Sequence, residues 1–238
     1  MKGQILNLSA YRFVTLPDAQ DLQRKFQKFC LDIPLKGSLV FSSEGVNLGV
    51  AGTVETVKQF SDFLTQDSRF AGMVFKESWS EEIPYRRMLV KFKSMLVPSS
   101  EDIDPKVMTG KRLDPLKLKE WLDNDEAMVL IDTRNQYEFD CGAFEKSIHL
   151  NIEHFRDFAE ALEQLPLDYR DKRVVMVCTG GIRCEKATPI AMKKGFNEVY
   201  QLEGGILDYF KHCQGAHWKG ECFVFDERVS LNADLRPY

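Results

Sequence analysis

The chain has 238 residues, of which 44% are hydrophobic and 29% are charged, and its formal net charge is −4. This length can hold one large domain or two of ordinary size. No apolar run approaches the roughly 18 residues of a membrane helix, and the net negative charge argues against indiscriminate binding to nucleic acid. Residues 1–5 lack the apolar segment of a signal peptide, and the six cysteines are scattered, so we expect a cytoplasmic protein without a disulfide framework.

The first hundred residues alternate strand and helix patterns. Period-two stretches indicate strands, and apolar residues at helical spacing follow Pro17-Asp18 and Thr53. The order β-α-β-β-α-β predicts a ferredoxin-like α+β sandwich for residues 1–97. Its strands are expected at residues 5–14, Gly37–Phe41 and Val46–Val50, and a fourth strand is expected to begin with Met73–Phe75. A further strand at Met88–Phe92 is expected to extend the sheet.

The second half of the chain alternates helix and strand, as a mostly parallel α/β sheet requires. Residues 98–112 are predicted to be a linker because they are rich in Pro, Ser and Asp. The α/β domain is assigned to residues 113–215, and residues 216–238 form a C-terminal extension. Helices are expected at Leu116–Leu122, Phe155–Gln164, Arg183–Lys194 and Ile206–His212, and strands at Met128–Asp132, Ile148–Leu150, Val174–Val177 and Glu198–Gln201.

One loop carries the strongest chemical signal. Val174–Val177 reads as a buried strand that delivers Cys178 to a glycine-containing turn before a helix. A lone cysteine ending such a strand is usually a small core residue. Here, however, backbone N–H groups, a helix N-terminus and Arg183 all favour the thiolate, which is the nucleophilic form. The sulfur of Cys178 is therefore the candidate reacting atom. The other residues of the candidate active-site loop are Thr179, Gly180, Gly181, Ile182 and Arg183.

This strand–loop–helix resembles the active-site loop of the rhodanese family, in which a cysteine carries a persulfide. The six-residue span from Cys178 to Arg183 favours sulfur or thiolate chemistry over phosphate hydrolysis, since related phosphatases use one residue more. The Val129–Arg134 segment with Tyr137-Glu138 and the Leu202–Ile206 segment resemble other parts of the same domain. We expect Asp132 and Arg134 to form a structural pair.

Other cysteines and histidines leave alternatives open. Cys184 is a candidate resolving thiol for an oxidised or persulfidated Cys178, and burial on the first helical turn is the alternative. His212, Cys213, His217 and Cys222 match no common zinc spacing, so no metal is predicted. No G-x-G-x-x-G follows a strand, and no cofactor is identifiable from the sequence.

A basic stretch surrounds the predicted linker. Residues 84–119 contain nine Lys or Arg and four Asp or Glu. Such a stretch can hold a phosphate backbone, and a solvated surface is the alternative. The candidate RNA-binding residues are Arg86, Arg87, Lys91, Lys93, Lys111 and Arg112.

The chain as a whole resembles the tRNA uridine hydroxylase family. The resemblance rests on the Cys178–Ala187 motif, on Ser43–Asn47 and on the segment Gly220–Val229, read as GECFVFDERV. It implies oxygen-dependent formation of 5-hydroxyuridine at the wobble position, with Cys178 required, O2 as co-substrate and the anticodon region of tRNA as partner. Some members continue into a Cys-rich tail, whereas this chain ends at Tyr238. A rhodanese-type sulfurtransferase with a Cys178 persulfide is the alternative enzyme, and a non-enzymatic RNA-binding protein is a third hypothesis. The tRNAs chosen, the electron source and the oligomeric state are left open.

Overall fold

The computed structural model describes residues 5–237. The chain divides into two compact units, the first ending at Leu96 and also containing Asp226–Arg228, the second formed by the remaining residues from Val97 onward. None of the helices within residues 5–237 is long and apolar enough to cross a bilayer.

The first unit is a five-stranded sheet with two helices. In chain order its elements are β1 (Ile5–Phe13), α1 (Ala19–Leu31), β2 (Lys36–Ser42), β3 (Gly45–Gly52), α2 (Val54–Thr65), β4 (Lys76–Ser80) and β5 (Met88–Phe92). The strand order is β4-β1-β3-β2-β5. The predicted ferredoxin-like arrangement is therefore confirmed, and β5 extends the sheet by pairing parallel to β2.

Apolar residues on one face of this sheet bind the two helices. Leu6, Leu8 and Ala10, at every second position of β1, are buried in the hydrophobic core of this unit, as the two-residue side-chain period of a strand requires. Phe26 of α1 packs against Phe41, with ring centroids 5.2 Å apart. The helices thus bury their apolar faces on one side of the sheet.

The fourth strand lies later than the sequence predicts. The apolar residues Met73–Phe75 precede it, and the strand that pairs with β1 is Lys76–Ser80. Met73 is buried in the core from a loop, whereas the edge strand β4 alternates half-buried and exposed side chains. The apolar run therefore marks a core contact and not the hydrogen-bonded strand.

The second unit contains a five-stranded parallel sheet in the order β6-β11-β10-β7-β9. Its elements are β6 (Lys111–Leu113), α3 (Pro115–Asp123), β7 (Val129–Asp132), α4 (Gln136–Cys141), β8 (Gly142–Phe144), β9 (Ser147–His149), α5 (Phe158–Glu163), β10 (Arg173–Val177), α6 (Cys184–Lys193), β11 (Glu198–Leu202), α7 (Gly205–Cys213), β12 (Trp218–Gly220), β13 (Cys222–Phe223) and β14 (Ser230–Leu231). This confirms the rhodanese-like α/β fold class.

Both faces of the parallel sheet are covered. Val174 and Met176 of β10 join one hydrophobic cluster with α5 and α6, whereas Val175 and Val177 join the opposite cluster with α3 and α7. A strand covered on both faces needs a continuous apolar run. This explains why β10 was predictable from the sequence.

Two segments outside the predicted core of this domain are ordered parts of it. Within the expected linker 98–112, Ile103 is buried, and residues 111 and 112 begin β6, which pairs with β11. In the C-terminal extension, β12 pairs with β8. Both segments therefore help to complete the second unit.

Candidate active site

The Cys178 loop connects the carboxyl end of β10 to the N-terminus of α6. Cys178 is fully buried, and the N–H group of Gly181 donates a hydrogen bond to its Sγ over 3.1 Å. Gly181 has φ +92°, a conformation that favours glycine. Thr179 and Arg183 are buried, and Gly180 and Ile182 are half-buried. The loop thus wraps its backbone around the sulfur, at the edge where parallel sheets bind ligands.

The surroundings of Cys178 stabilise its thiolate. Burial by itself raises the pKa of the Cys178 thiol, but a hydrogen bond from Cys184, the charge of Arg183 and the backbone N–H groups of Cys184 and Arg183 lower it to about 5. The N-terminus of α6 adds the positive end of a helix dipole. These contacts favour the thiolate of Cys178, which is the nucleophilic form of a cysteine.

A buried ion pair holds Arg183. Its Nη1 and Nη2 donate hydrogen bonds to the two carboxylate oxygens of Glu138 over 2.5 and 2.7 Å. Burial raises the pKa of Glu138, but the hydrogen bond and charge of Arg183, together with the Asn135 N–H, lower it below its ordinary value. Glu138 also accepts a hydrogen bond from Thr179 Oγ1 over 3.4 Å. A single carboxylate thereby positions both ends of the loop.

Asp132 and Arg134 form the structural pair that the sequence predicts. Both are completely buried, and Nη2 of Arg134 lies 2.7 Å from the Asp132 carboxylate. The same guanidinium donates hydrogen bonds to the carbonyl oxygens of Glu138 and Gly142. It therefore fixes the backbone of α4, which carries Glu138.

Cys184 lies on the first turn of α6 beside Cys178. Burial and its hydrogen bond with Cys178 raise the pKa of the Cys184 thiol well above its ordinary value. Its Sγ also lies 3.8 Å from Thr133 Oγ1. The two pKa shifts favour a thiol at Cys184 beside a thiolate at Cys178, and this position suits both roles that the sequence left open for Cys184.

The candidate RNA-binding residues belong to two different units. Arg86, Arg87, Lys91 and Lys93 lie in the first unit, in β5 and beside it, and all four are exposed. Arg86 forms an ion pair of 2.6 Å with Glu227. Lys111 and Arg112 lie on β6 of the second unit, where Arg112 contacts Glu185 over 2.8 Å. Their role in binding RNA stays a prediction.

The histidines and cysteines near the C-terminus lie apart. His212 contacts Asp208, His217 contacts Asp123 over 2.7 Å, and Cys213 donates to the Pro115 carbonyl. Cys222 is buried, which raises the pKa of its thiol to about 12, and it lies beside the side chain of Thr179. Across residues 5–237, no three His, Cys, Asp or Glu side chains come together as metal ligands would.

Sequence reasoning missed Glu138 as a site residue. It lies on the six-residue helix α4, 45 positions before its partner Arg183. The local signal was the pattern Asn135-x-x-Glu138, in which the Glu138 carboxylate accepts from the Asn135 N–H as in a capping box. The sequence analysis also did not place Cys222 at this site, although Cys222 borders the Cys178 loop.

The backbone of the Cys178 loop lies so close to Gly205 of α7 that a side chain at this position would clash with it. Gly205 has φ +73°, and a Cβ there would lie 2.6 Å from the Cys178 carbonyl oxygen and from the Gly181 nitrogen. We expect Gly205→Ala to lower the free energy of unfolding by about 3 kcal/mol, combining a left-handed backbone penalty with overpacking, and to slow catalysis. Urea denaturation measures the first effect.

The matched control for this change is Gly195→Ala in the same unit. Gly195 has φ +87°, but the nearest atom to an added Cβ is Arg170 Cδ at 3.9 Å. This variant should therefore lose only the backbone term of about 1–2 kcal/mol. Equal losses in the free energy of unfolding for the two variants would show that the added Cβ at position 205 does not clash with the Cys178 loop.

The low pKa of Cys178 predicts a pH dependence. Between about 5 and its ordinary value of 9.0, the folded protein holds a thiolate while the unfolded chain holds a thiol. The unfolded state then binds the extra proton, so the stability of wild type relative to Cys178→Ser should rise with pH across this window and be lost as pH falls through about 5. The ultraviolet absorbance of the thiolate, measured as wild type minus Cys178→Ser, should be present at pH 7 and disappear near pH 5. Absorbance that appears only near pH 9 would contradict an ionised Cys178.

The parallel sheet and the cysteine loop define a rhodanese-like protein. Two family models agree, a rhodanese-like domain over residues 114–212 and a domain described as UPF0176 acylphosphatase-like over residues 5–96. The solution structure of a rhodanese-like domain from Anabaena sp. has 22% identity and a TM-score of 0.39, over 48% of this chain and 80% of that one.

Curated relatives match both units together. A protein of Delftia acidovorans named tRNA uridine(34) hydroxylase is 43% identical over 98% of this chain and 91% of its own length. A protein of the same name from Cupriavidus metallidurans is 41% identical over 98% of this chain and 85% of its own length. The chain belongs to the tRNA uridine(34) hydroxylase family.

Proposed function

We propose that this protein is a cytoplasmic enzyme that hydroxylates C5 of uridine 34, the wobble position of tRNA, with O2 as oxidant and Cys178 as nucleophile. The observation that carries the proposal is the buried cysteine whose thiolate is stabilised by Arg183 and the loop backbone. It is supported by the name shared by relatives that match 98% of this chain.

The thiolate makes C5 of uracil reactive. Cys178 adds to C6 and forms an S–C6 bond, while the electron pair of the C5=C6 bond moves toward the C4 carbonyl and leaves an enolate that is nucleophilic at C5. C5 then bonds to one oxygen atom of O2. Two thiol groups of a reductant are oxidised to a disulfide and supply two electrons and two protons that break the O–O bond, so that one oxygen stays on C5 and the other leaves as water. Loss of the C5 proton restores the double bond and expels the thiolate.

The overall reaction balances. Uridine, one O2, two electrons and two protons give 5-hydroxyuridine and one water. The role of the protein is to stabilise the sulfur anion before addition and after expulsion, through the Gly181 N–H, the Cys184 thiol and the Arg183 charge. A thiolate with a low pKa is also a good leaving group, which favours the last step.

Exposed basic side chains in both units are proposed to contact tRNA phosphates. Phosphate contacts position an RNA without reading its sequence. The residues are Arg86, Arg87, Lys91, Lys93, Lys111 and Arg112, all of them exposed.

The rhodanese fold supports a second candidate, transfer of sulfur through a Cys178 persulfide. The observation in its favour is the six-residue loop, in which the Gly181 N–H donates a hydrogen bond to the sulfur. Its mark is a mass increase of one sulfur atom on Cys178 after exposure to thiosulfate, together with a loss of thiolated nucleosides in cells that lack the protein.

The test is mass spectrometry of tRNA nucleosides from cells that lack this protein, with and without the wild-type gene restored. We expect 5-hydroxyuridine and its derivatives to disappear and to return with the gene. Growth under heavy-oxygen O2 should place the label in the new hydroxyl, and growth in heavy-oxygen water should not. Unchanged 5-hydroxyuridine in the deletion strain would refute the hydroxylase, and a fall in thiolated nucleosides instead would favour sulfur transfer.

A further inference from the structure

Three aromatic side chains cluster beside the Cys178 loop. Tyr137 of α4 and Phe223 of β13 meet edge to face with ring centroids 5.2 Å apart, and Phe223 meets Phe225 in the same way at 5.3 Å. Tyr137 is 43% exposed and Phe225 is 64% exposed. We call these three residues the aromatic platform. They are a contiguous apolar surface that the fold of the second unit leaves open to solvent.

The aromatic platform is attached to the loop from two directions. The Arg183 guanidinium carbon lies 5.9 Å from the centroid of Phe225, and Tyr137 adjoins Glu138, the partner of Arg183. On the other side, the buried Cys222, next to Phe223, lies beside Thr179 of the loop. The platform therefore borders the loop that holds the reactive sulfur.

The chemistry of the aromatic platform suits a nucleobase. Its three side chains carry no positive charge that would neutralise a phosphate group. Flat aromatic rings stack on bases of any sequence, and unpaired bases of an RNA loop are free to be splayed out onto such rings. Because Cys178 is fully buried, a target uridine has to unstack from the neighbouring bases of the anticodon loop before it can approach the Cys178 loop.

We infer that the aromatic platform stacks a base that flanks the target uridine in the anticodon loop. This inference rests on the proposed function and adds to it a positioning site outside the reacting atoms. Phe225 is the residue to test because it is the most exposed of the three and its ring centroid lies 5.9 Å from the Arg183 guanidinium carbon. The stacked base compensates for the stacking that the uridine's neighbours lose when the uridine moves toward Cys178.

The test measures RNA binding without turnover. The parent is full-length Cys178→Ser protein, and the probe is a synthetic, end-labelled anticodon stem-loop RNA whose dissociation constant is followed by fluorescence anisotropy. Phe225→Leu keeps an apolar side chain but removes the ring, so we expect the dissociation constant to rise about tenfold to a hundredfold. Phe225→Trp should bind as tightly as the parent. Leu167→Ala, at a 69% exposed residue away from the platform, is the matched control and should not change binding.

Removing the base from the RNA completes the experiment. An abasic nucleotide beside the target uridine should weaken binding to the parent, and Phe225→Leu should then add little further loss. If Phe225→Leu binds the RNA as tightly as the parent, the aromatic platform does not stack a base. The same conclusion holds if the binding losses from Phe225→Leu and from the abasic nucleotide simply add. Either result leaves the hydroxylase proposal standing. If the parent binds neither this RNA nor whole tRNA, both proposals fail. Thermal unfolding of each variant shows whether Phe225→Leu and Phe225→Trp remain folded.

Discussion

Cys178→Ser is expected to slow 5-hydroxyuridine formation by at least about 10³-fold, as loss of a covalent nucleophile does elsewhere. Serine is nearly isosteric, but its hydroxyl stays protonated where the thiol has a pKa of about 5. The change therefore removes the anion with little disturbance of the loop. The measurement is the initial rate on unmodified tRNA in an extract of the deletion strain, which supplies the reductant, with equal amounts of each purified protein.

Two further cysteine variants make this measurement specific. Cys213 is buried on α7, where its Sγ donates to the Pro115 carbonyl, so Cys213→Ser should keep a rate close to wild type. Cys184→Ser keeps an O–H donor to the Cys178 sulfur and should also remain active if the role of Cys184 is to stabilise the anion. Loss of activity in Cys184→Ser with an intact fold would instead show that Cys184 is a resolving thiol. Full activity of Cys178→Ser would refute the proposed role of Cys178 as the nucleophile.

Glu138→Ala is expected to lower the free energy of unfolding by about 3–5 kcal/mol, because it leaves the buried guanidinium of Arg183 without its partner. The two residues share two short hydrogen bonds, with side chains 10% and 0% exposed. The loss should also reach the active site, since Thr179 and Arg183 both bind this carboxylate. Urea denaturation and the rate of 5-hydroxyuridine formation measure the two effects.

A double-mutant cycle measures how much of this stability loss comes from the interaction between Glu138 and Arg183. Glu138→Leu combined with Arg183→Met removes both charges, so the double variant should be more stable than the sum of the single losses predicts. The control is Asp168→Ala, which breaks an exposed i,i+4 pair with Lys172 and should cost under about 0.5 kcal/mol. A loss below about 1 kcal/mol for Glu138→Ala would mean that water or another group replaces the carboxylate.

The sequence predicted the fold class and the cysteine loop because both depend on local patterns. The continuous apolar run of β10 and the glycines after Cys178 indicate a buried strand and a tight turn. The fourth strand was placed too early because Met73 is a core residue in a loop, and an edge strand such as β4 has no apolar run to mark it. Edge strands are therefore harder to place than central ones.

The parts of the site that come from distant segments could not be predicted in this way. Glu138 contacts Arg183 from the short helix α4, whose backbone is held by a hydrogen bond from Arg134. Phe225 reads in the sequence as one more core residue of an apolar run, and its exposure is a property of the folded chain. A burial pattern in sequence cannot show which of several apolar residues faces solvent.

The two buried ion pairs also constrain how this domain can diverge. Asp132, Arg134, Glu138 and Arg183 are all buried, and Arg134 bonds to the backbone of the residue whose side chain holds Arg183. A substitution at one of them leaves an unpaired charge in the interior, so a lineage that replaced them singly would pass through unstable ancestors. Related proteins should therefore retain the four residues together. In relatives that no longer use a reactive thiolate, we expect all four residues to have been replaced together.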